Sequence, residues 1–393
     1  MAATAASLNE VFPGIEVIDC DAHYTEPADL WTSRAPASLR SRMPQMRRVD
    51  DRDMWFVDND IPLGPVGFSV IRKSGEKAIG ELFLPQWELI HEASYDPSAR
   101  LEVLNRLGIR AQILYPNVGG FGSSRFIQLE DESLRLACIQ IYNDAVAELQ
   151  SETDGRLLPQ AVLPIWDSKA LLKETERVTR ELSLKGVTLP DTPERLGLPD
   201  FADAYWEPFW ELTSELGLPI NFHIGSADTT TFTSAPWKSM GPERRIAIGA
   251  ALLYMDNARV IVNLLYSDII DRHPNLKFVS VESGVGWIPF ILEACEYQWD
   301  EMVPTECKHH TLRPREKFQQ GIHACFWFEE EGPKRLIESI GADKILFETD
   351  FPHPTCLYPH SREHLQNVLA DVSQDIRRKV LCGNAAKLYG IDL

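Results

Sequence analysis

The sequence predicts an α/β fold, a TIM-type (β/α)₈ barrel with long insertions in its βα loops. Three observations predict it: eight short apolar runs, helical patterns between consecutive runs, and polar side chains where several runs end. The runs lie near residues 17, 112, 160, 187, 221, 279, 325 and 346. Alternating strands and helices favour a parallel sheet, and eight such units suggest closure into a barrel.

The segments between the runs have the marks of helices. Segment 97–107 begins with Pro97, has apolar residues at 101, 104 and 107, and stops before Gly108, which is typical of a helix. Further helices are predicted over 130–151, 168–182, 202–216, 243–271, 287–299 and 332–340. A doubly wound open sheet is the competing architecture. The sequence has no G-x-G-x-x-G after an early strand, which counts against that alternative.

The whole chain, 1–393, is predicted to form a single domain with an elaborated loop region at about 30–90, in which a small hairpin is the alternative to a wholly irregular loop. Five prolines and four glycines punctuate that region, as expected of a loop rather than of a separate domain. Loops of this size in compact proteins usually cover a functional site. We expect this region and segment 225–245 to set substrate specificity.

Composition excludes several classes of function. The chain has 58 acidic residues against 39 Lys and Arg, a formal charge of −19, which repels polyanions, so we expect no nucleic-acid partner. No stretch approaches roughly 18 uninterrupted apolar residues, so we expect no membrane partner. Seven cysteines without a CxxC pair indicate reduced thiols, and the N-terminus lacks the pattern of a secretory signal. We predict a cytoplasmic location.

The first apolar run ends in Asp19-Cys20-Asp21-Ala22-His23. Residues two apart on a strand face the same way, so Asp21 and His23 are predicted to point together and Cys20 to face away from them. A buried carboxylate beside an imidazole requires a charged partner or a metal ion. The alternative is a strand that reaches solvent here, with its aspartate capping a turn, and this motif alone does not decide between the two.

Three other runs also end in residues that bind metals. His223 ends the fifth run, Glu282 follows the sixth, and Asp350 follows the eighth. Each has a structural explanation when taken singly: a hydrogen-bonded core histidine, a helix cap and a turn acid. Those explanations do not account for their coincidence, because a barrel brings the carboxyl ends of its strands to one rim.

The strand-end segments that carry Asp21, His23, His223, Glu282 and Asp350 resemble those of the amidohydrolase superfamily. The same resemblance extends to the tail, Gly383-Asn384-Ala385-Ala386-Lys387-Leu388-Tyr389-Gly390. The resemblance is closest to the amidohydrolase-related branch that includes aminocarboxymuconate-semialdehyde decarboxylase and the dihydroxybenzoate decarboxylases. It spans residues 15 to 391 or thereabouts.

The resemblance implies that Asp21, His23, His223 and Asp350 are metal ligands and that Asp350 also handles protons. Two positions depart from the branch. Asp21 stands where relatives often have His or Glu, and Glu282 stands where the decarboxylases have a histidine.

The implied ligand set determines the predicted chemistry. Oxygen and imidazole ligands without a thiolate suit Zn, Mn or Fe(II), as one ion or as two ions bridged by Glu282. We predict a hydrolase that uses hydroxide from metal-bound water to cleave an amide, ester, lactone or thioester, with Asp350 and Glu282 as catalytic residues. One alternative is metal-dependent non-oxidative decarboxylation of an aromatic or unsaturated carboxylic acid. Another is a barrel that binds a ligand without chemistry.

Residues after the second, third and eighth runs are predicted to contact a small-molecule substrate. They are Tyr115, Asn117, Trp166 and His353. For the aromatic residues, packing inside the barrel is the competing interpretation. His353 is also predicted to be a hydrogen-bond partner of a ligand rather than a ligand. The resemblance implies a homodimer.

Overall fold

The computed structural model describes residues 8–227, 236–303 and 305–393. Part of the predicted specificity segment, 228–235, lies outside the described residues, as does the start of the N-terminal segment, 1–7. The strands in chain order are β1 Val17–His23, β2 Gln45–Val49, β3 Arg52–Val57, β4 Ile61–Pro65, β5 Ile109–Tyr115, β6 Leu157–Pro159, β7 Val187–Leu189, β8 Ile220–His223, β9 Phe278–Val281, β10 Ile322–Phe326 and β11 Ile345–Phe347.

Two parallel sheets contain all eight predicted runs. One sheet has the order β1-β5-β6, and the other has the order β11-β10-β9-β8-β7. Parallel bridges pair Ala161 with Val187 and Ala22 with Phe351, so each edge of one sheet meets an edge of the other. The predicted α/β class with parallel strands is therefore confirmed.

Helices follow most of these strands, and polar caps fix where several of them begin. Asp96 accepts a hydrogen bond from the backbone N of Ala99 at 2.8 Å, and Pro97 occupies the first turn, where its missing N–H costs nothing. The described helices are Leu8–Val11, Leu30–Arg34, Pro97–Leu107, Glu132–Glu152, Ser168–Glu176, Glu207–Leu216, Pro242–Leu253, Asn257–Tyr266, Ile269–Arg272, Ile288–Met302, Pro314–Gly321, Ile337–Ile340, Ser361–Val368, Gln374–Arg378 and Asn384–Tyr389.

The region predicted as an elaborated loop contains a small sheet. Strands β2, β3 and β4 form an antiparallel meander. Beyond it, the chain packs onto the ends of β1 and β11: the backbone N of Thr25 donates to Ser94 O at 2.8 Å, and that of Val70 donates to Pro352 O at 3.0 Å. The insertion therefore lies beside the carboxyl ends of the parallel strands.

An inner apolar cluster shows which side chains point between the two parallel sheets. Six strands contribute to it, and Ala385 and Tyr389 of the last helix pack against it. Cys20 belongs to this cluster, so the prediction that it faces away from Asp21 is wrong. The reason is a β-bulge. Asp19 pairs with Gln112 and Ala22 with Leu114, so Cys20 and Asp21 together oppose one residue of β5, and the extra residue puts Cys20 and Asp21 on the same face.

One helical stretch among the described residues, Pro242–Tyr266, has 25 residues and is apolar enough to cross a membrane by length and composition alone. Within the fold it consists of two helices, Pro242–Leu253 and Asn257–Tyr266. The second helix buries Val260 and Leu264 in the core. A core helix meets the same criterion, so the expectation of no membrane partner stays a prediction.

Candidate metal centre

Asp21 and His23 lie at the end of β1, both fully buried. His23 Nε2 is 3.5 Å from Asp21 Oδ1. The backbone fixes their position from two sides, because His23 N donates to Phe351 O at 2.8 Å and Asp350 N donates to Asp21 O at 2.8 Å. The end of β1 is therefore joined directly to the segment that follows β11.

His223, the last residue of β8, meets this pair. Its Nδ1 is 2.9 Å from the carbonyl oxygen of Ile224, which can only accept, so Nδ1 carries the hydrogen and Nε2 of the neutral ring has a free lone pair. That Nε2 is 3.1 Å from His23 Nε2 and 3.6 Å from Asp21 Oδ2. Burial lowers the pKa of His223 to about 4, which favours the neutral ring that a metal requires.

Asp350 and Glu282 complete the group. His23 Nε2 is 3.6 Å from Asp350 Oδ1, and His223 Nε2 is 3.3 Å from Glu282 Oε2. Both acids have left-handed backbone conformations, with φ of 59° for Asp350 and 56° for Glu282, which are uncommon for residues other than glycine and concentrate at functional sites. The turns after β9 and β11 thus direct two carboxylates to one point.

The spacing of these atoms fits a bound ion. Ligand atoms bonded at about 2.1–2.2 Å in tetrahedral or octahedral geometry are about 3.0–3.6 Å apart. The ligand atoms of Asp21, Glu282 and Asp350 lie 3.3–3.6 Å from Nε2 of His23 or His223, and the two Nε2 atoms are 3.1 Å apart. Within the described residues, both carboxylate oxygens of Asp21 are buried without a hydrogen-bond partner. A cation is the partner that satisfies them.

The electrostatics of the cluster point the same way. Burial, with Asp350 next in effect, raises the pKa of Asp21 and of Glu282 well above ordinary values. Burial and the charge of Asp21 raise the pKa of Glu348 likewise. The shared cause is a set of carboxylates crowded into a buried volume, and a divalent cation relieves it. The five predicted ligands are thus brought together, and the set suits a divalent ion.

His353 contacts the same group, but its ring is not oriented to bind one ion together with His23. The two rings are stacked, with centroids 3.4 Å apart and planes 14° from parallel. An ion bonded to both at about 2.1 Å would lie roughly 50° out of each ring plane, whereas the imidazole lone pair lies in the plane. His353 Nδ1 is 3.2 Å from Asp350 Oδ1, but that oxygen has no hydrogen-bond partner among the described residues, so the predicted hydrogen bond from His353 to a metal ligand stays a prediction.

The other three residues predicted to contact substrate have different surroundings. The Tyr115 hydroxyl donates to Asn221 Oδ1 at 3.1 Å inside the inner cluster. Asn117 is buried, and its Oδ1 is 3.1 Å from His353 Nε2. Trp166 is half-buried with its ring 4.4 Å from the Arg135 guanidinium. The predicted contacts of these residues with a substrate stay predictions.

Sequence reasoning missed several neighbours of the cluster. The ring of Phe121 is 4.0 Å from that of His223 and 5.2 Å from that of His23. Thr355 Oγ1 donates to Asp350 Oδ2 at 3.0 Å, and Glu348 Oε2 accepts from the backbone N of Glu282 at 3.1 Å. Glu348 had a visible signal in the run that ends Glu348-Thr349-Asp350, whereas Phe121 and Thr355 lie in loops without a motif.

The chain is similar to known proteins in both sequence and structure. The Amidohydrolase family model matches residues 18–391. A 2-amino-3-carboxymuconate-6-semialdehyde decarboxylase from Dictyostelium discoideum is 25% identical over 76% of this chain and 77% of its own length. A gamma-resorcylate decarboxylase from Polaromonas sp. is 25% identical over 81% of this chain and 99% of its own length.

Solved structures share the fold across the whole chain. An amidohydrolase from Mycobacterium avium subsp. paratuberculosis has a TM-score of 0.73 at 21% identity, covering 97% of this chain and 99% of that one. A dihydroxybenzoic acid decarboxylase from Polaromonas sp. JS666, solved with bound manganese and the inhibitor 2-nitroresorcinol, has a TM-score of 0.61 at 19% identity, covering 96% and 97%. With the ligand groups described above, these findings support a divalent metal ion as the cofactor.

The comparisons correct the predicted reaction. The two sequence relatives named above are decarboxylases. The prediction of an acyl-bond hydrolase, including a thioesterase, is therefore wrong, and decarboxylation, the stated alternative, is the better supported reaction. The resemblance inferred from the strand-end residues is confirmed by a match over almost the entire length. The chain belongs to the amidohydrolase family and is an enzyme of the amidohydrolase superfamily.

Proposed function

We propose that this protein is a metal-dependent non-oxidative decarboxylase of an aromatic or unsaturated carboxylic acid. The observation that carries the proposal is the meeting of Asp21 and Asp350 with the two histidines. Nε2 of His23 lies 3.1–3.6 Å from ligand atoms of Asp21, His223 and Asp350, in a chain whose relatives include decarboxylases. These four residues are the proposed metal ligands. Glu282 is a proposed catalytic residue and a further candidate ligand.

The proposed architecture is a closed (β/α)₈ barrel in one domain. The bridges from Ala161 to Val187 and from Ala22 to Phe351 support closure, as does the inner cluster to which six strands contribute. In such a barrel the site occupies the rim at the carboxyl ends of the strands, where β1, β8, β9 and β11 supply its residues. We further propose a cytoplasmic homodimer that acts on a small molecule without binding nucleic acid or membrane.

The bound divalent ion would supply positive charge that holds the substrate carboxylate and an adjacent oxygen and stabilises the charge formed in the reaction. The protein must then deliver a proton. When the bond between the ring carbon and the carboxylate breaks, CO₂ leaves and its electron pair remains on the carbon, which takes up one proton. Asp350 and Glu282 face the site and are the proposed acids.

The surroundings of the metal centre suit a planar substrate. Phe121 is partly exposed, and its ring covers one side of His223 and His23. The loop that carries it is fixed, because a Cβ on Gly122 would lie 2.4 Å from the backbone N of Pro190. An aromatic ring bound at the metal would stack on Phe121. The two rings together would displace water from this side of the site.

Turnover in D₂O tests the proposal. Protein loaded with manganese or zinc is incubated with a panel of hydroxybenzoic acids and unsaturated carboxylic acids, and CO₂ release and product mass are measured. We expect CO₂ and one deuterium on the carbon that lost the carboxylate, and loss of both in Asp350→Asn. A parallel reaction in ¹⁸O water must leave the organic product unlabelled. Incorporation of ¹⁸O into that product, or turnover by Asp350→Asn at the wild-type rate, would overturn the proposal.

A further inference from the structure

Arg125, in the loop after β5, has a guanidinium that the protein largely encloses without giving it an acidic partner. Its Nη1 donates to the backbone oxygen of Leu63 and, at 3.4 Å, to that of Asn117. Gly64 leaves room for the group, because a Cβ there would lie 2.9 Å from Nη1. Within the described residues, Arg125 makes these hydrogen bonds and a ring contact but no ion pair. A charge enclosed in this way normally has an opposite charge beside it.

Glu26 is the acid that acts on Arg125 from nearby, but it is engaged elsewhere. Its Oε1 accepts from the backbone N of Asn117 at 2.8 Å and from that of Val118 at 3.1 Å. Its Oε2 is buried without a hydrogen-bond partner, so neither oxygen bonds to the guanidinium. Burial lowers the pKa of Arg125 despite the charge of Glu26. The cost of enclosing the guanidinium is therefore not fully offset by Glu26.

Two separate chain segments place this guanidinium beside the metal centre. Asn117, whose backbone oxygen accepts from Arg125, has its Oδ1 3.1 Å from His353 Nε2. On another side, the Arg125 guanidinium lies 5.4 Å from the centre of the Phe68 ring. The chain continues from Phe68 to Val70, whose backbone N donates to Pro352 O at 3.0 Å. Both routes lead within two contacts to the segment that follows β11.

The edge of the guanidinium that remains free has the geometry of a carboxylate receptor. The two backbone oxygens occupy Nη1 alone, and Nε and Nη2 donate to no group in the described part of the chain. Neither nitrogen is among the buried atoms without a partner, so both can be reached from outside. Nε and Nη2 lie side by side, and arginine binds carboxylates through two parallel hydrogen bonds from such an edge. Bonds to two carbonyls alone would not require a positive charge at this position.

We propose that Arg125 binds a second carboxylate of the substrate through Nε and Nη2, so that the preferred substrate is a dicarboxylic acid. The inference rests on the proposed function, in which the carboxylate that is lost is held at the metal ion. The Phe68 ring beside the guanidinium excludes water from one side of the ion pair and strengthens it. In a chain with a formal charge of −19, a local cation is also needed to attract a dianion.

Binding of benzoate, isophthalate and terephthalate to the manganese-loaded protein tests the proposal by calorimetric titration. We expect the wild type to bind at least one of the two dicarboxylates about 10- to 100-fold more tightly than benzoate, the range for hydrogen bonds to a charged group. Arg125→Gln should abolish this preference and leave benzoate affinity unchanged, and Arg125→Lys, which keeps the charge without the paired donors, should retain part of it. The matched control is Arg156→Gln, because Arg156 also donates to backbone oxygens, those of Ile109 and Arg110, but at the opposite end of β5. This control should keep the full preference.

The outcomes separate this inference from the proposed reaction. If neither dicarboxylate binds to the wild type more tightly than benzoate, the inference is overturned even if Arg125→Gln does not fold. A preference that survives in folded Arg125→Gln overturns it as well. If the dicarboxylates bind through Arg125 but no acid releases CO₂, the carboxylate site stands and the proposed reaction fails. Release of CO₂ without any preference for dicarboxylates has the opposite meaning.

Discussion

Thr355→Val tests how Asp350 is held. The substitution keeps the shape of the side chain and removes the hydroxyl that donates to Asp350 Oδ2 at 3.0 Å. Hydrogen bonds to charged groups are worth about 1.5–3 kcal/mol, and the lower end applies because Thr355 is exposed and water can partly replace its hydroxyl. A loss of about 1.5 kcal/mol corresponds to roughly tenfold weaker binding of the metal ion.

The assay is calorimetric titration of metal-free protein with manganese, in parallel with kcat. The control is Thr213→Val, which removes another hydroxyl, bonded to Phe209 O at 2.7 Å on the buried side of the helix Glu207–Leu216. Thr213→Val should change the free energy of unfolding without changing manganese affinity. If Thr355→Val binds manganese as tightly as the wild type and turns over equally fast, the hydroxyl does not position Asp350 and this reasoning fails.

Two further predictions concern the pH dependence of stability and the Phe121 ring that covers His223 and His23. Burial lowers the pKa of His323 to about 3, with Lys344 and Lys277 adding to the effect. Because this folded-state pKa lies below the unfolded value of about 6.5, stability is fully present above pH 6.5 and is lost as pH falls toward 3, by about 2 kcal/mol at pH 5. Urea unfolding at pH 7 and pH 5 measures the free energy of unfolding. Between these pH values it should fall by about 2 kcal/mol less in His323→Gln than in the wild type, and equal losses in the two proteins would contradict the prediction. Phe121→Ala should raise KM for aromatic acids several-fold at unchanged manganese affinity, because the ring covers the ligands without binding the ion; an unchanged KM would remove Phe121 from the substrate site.

The strand-end residues could be predicted because their signal is local. Apolar runs and the residues that end them are visible in the sequence, and parallel strands bring their carboxyl ends to one edge. That rule predicted that His223, Glu282 and Asp350 lie together. In the structure, Asp21 forms one ligand group with His23 and His223 and another with Glu282 and Asp350. The predicted orientation of Cys20 was wrong because side chains alternate only along a regular strand. Strand β1 has a bulge, and no residue type in the sequence indicates it.

The sheet at β2–β4 was missed although its turns carry a signal. Asp50-Asp51 and Asp58-Asn59 each have positive φ at both residues, the conformation of two-residue hairpin turns that favour Asp and Asn. Between those turns, Asp53, Trp55 and Val57 alternate as buried residues of β3. The prolines and glycines of the region suggested a loop and concealed this alternation.

The surroundings of His353 could not be read from the sequence. Its partner Asn117 lies 236 residues earlier in the chain, and the pairing depends on amide orientation and ring stacking rather than on spacing. Phe121 was missed for a similar reason, since a loop aromatic without periodicity gives no hint of the ring it covers. Such contacts arise when distant segments pack together in the fold. No periodic pattern in the sequence indicates them.

Metal content tests the central claim most directly. Wild-type protein and the variants His223→Ala and Asp350→Asn are purified from manganese-supplemented cultures, desalted and analysed by mass spectrometry of the metals, with His323→Gln as a control remote from the ligands. We expect the wild type and His323→Gln to retain a divalent ion, whereas His223→Ala and Asp350→Asn should lose most of it. Folded His223→Ala and Asp350→Asn proteins with wild-type metal content would contradict it.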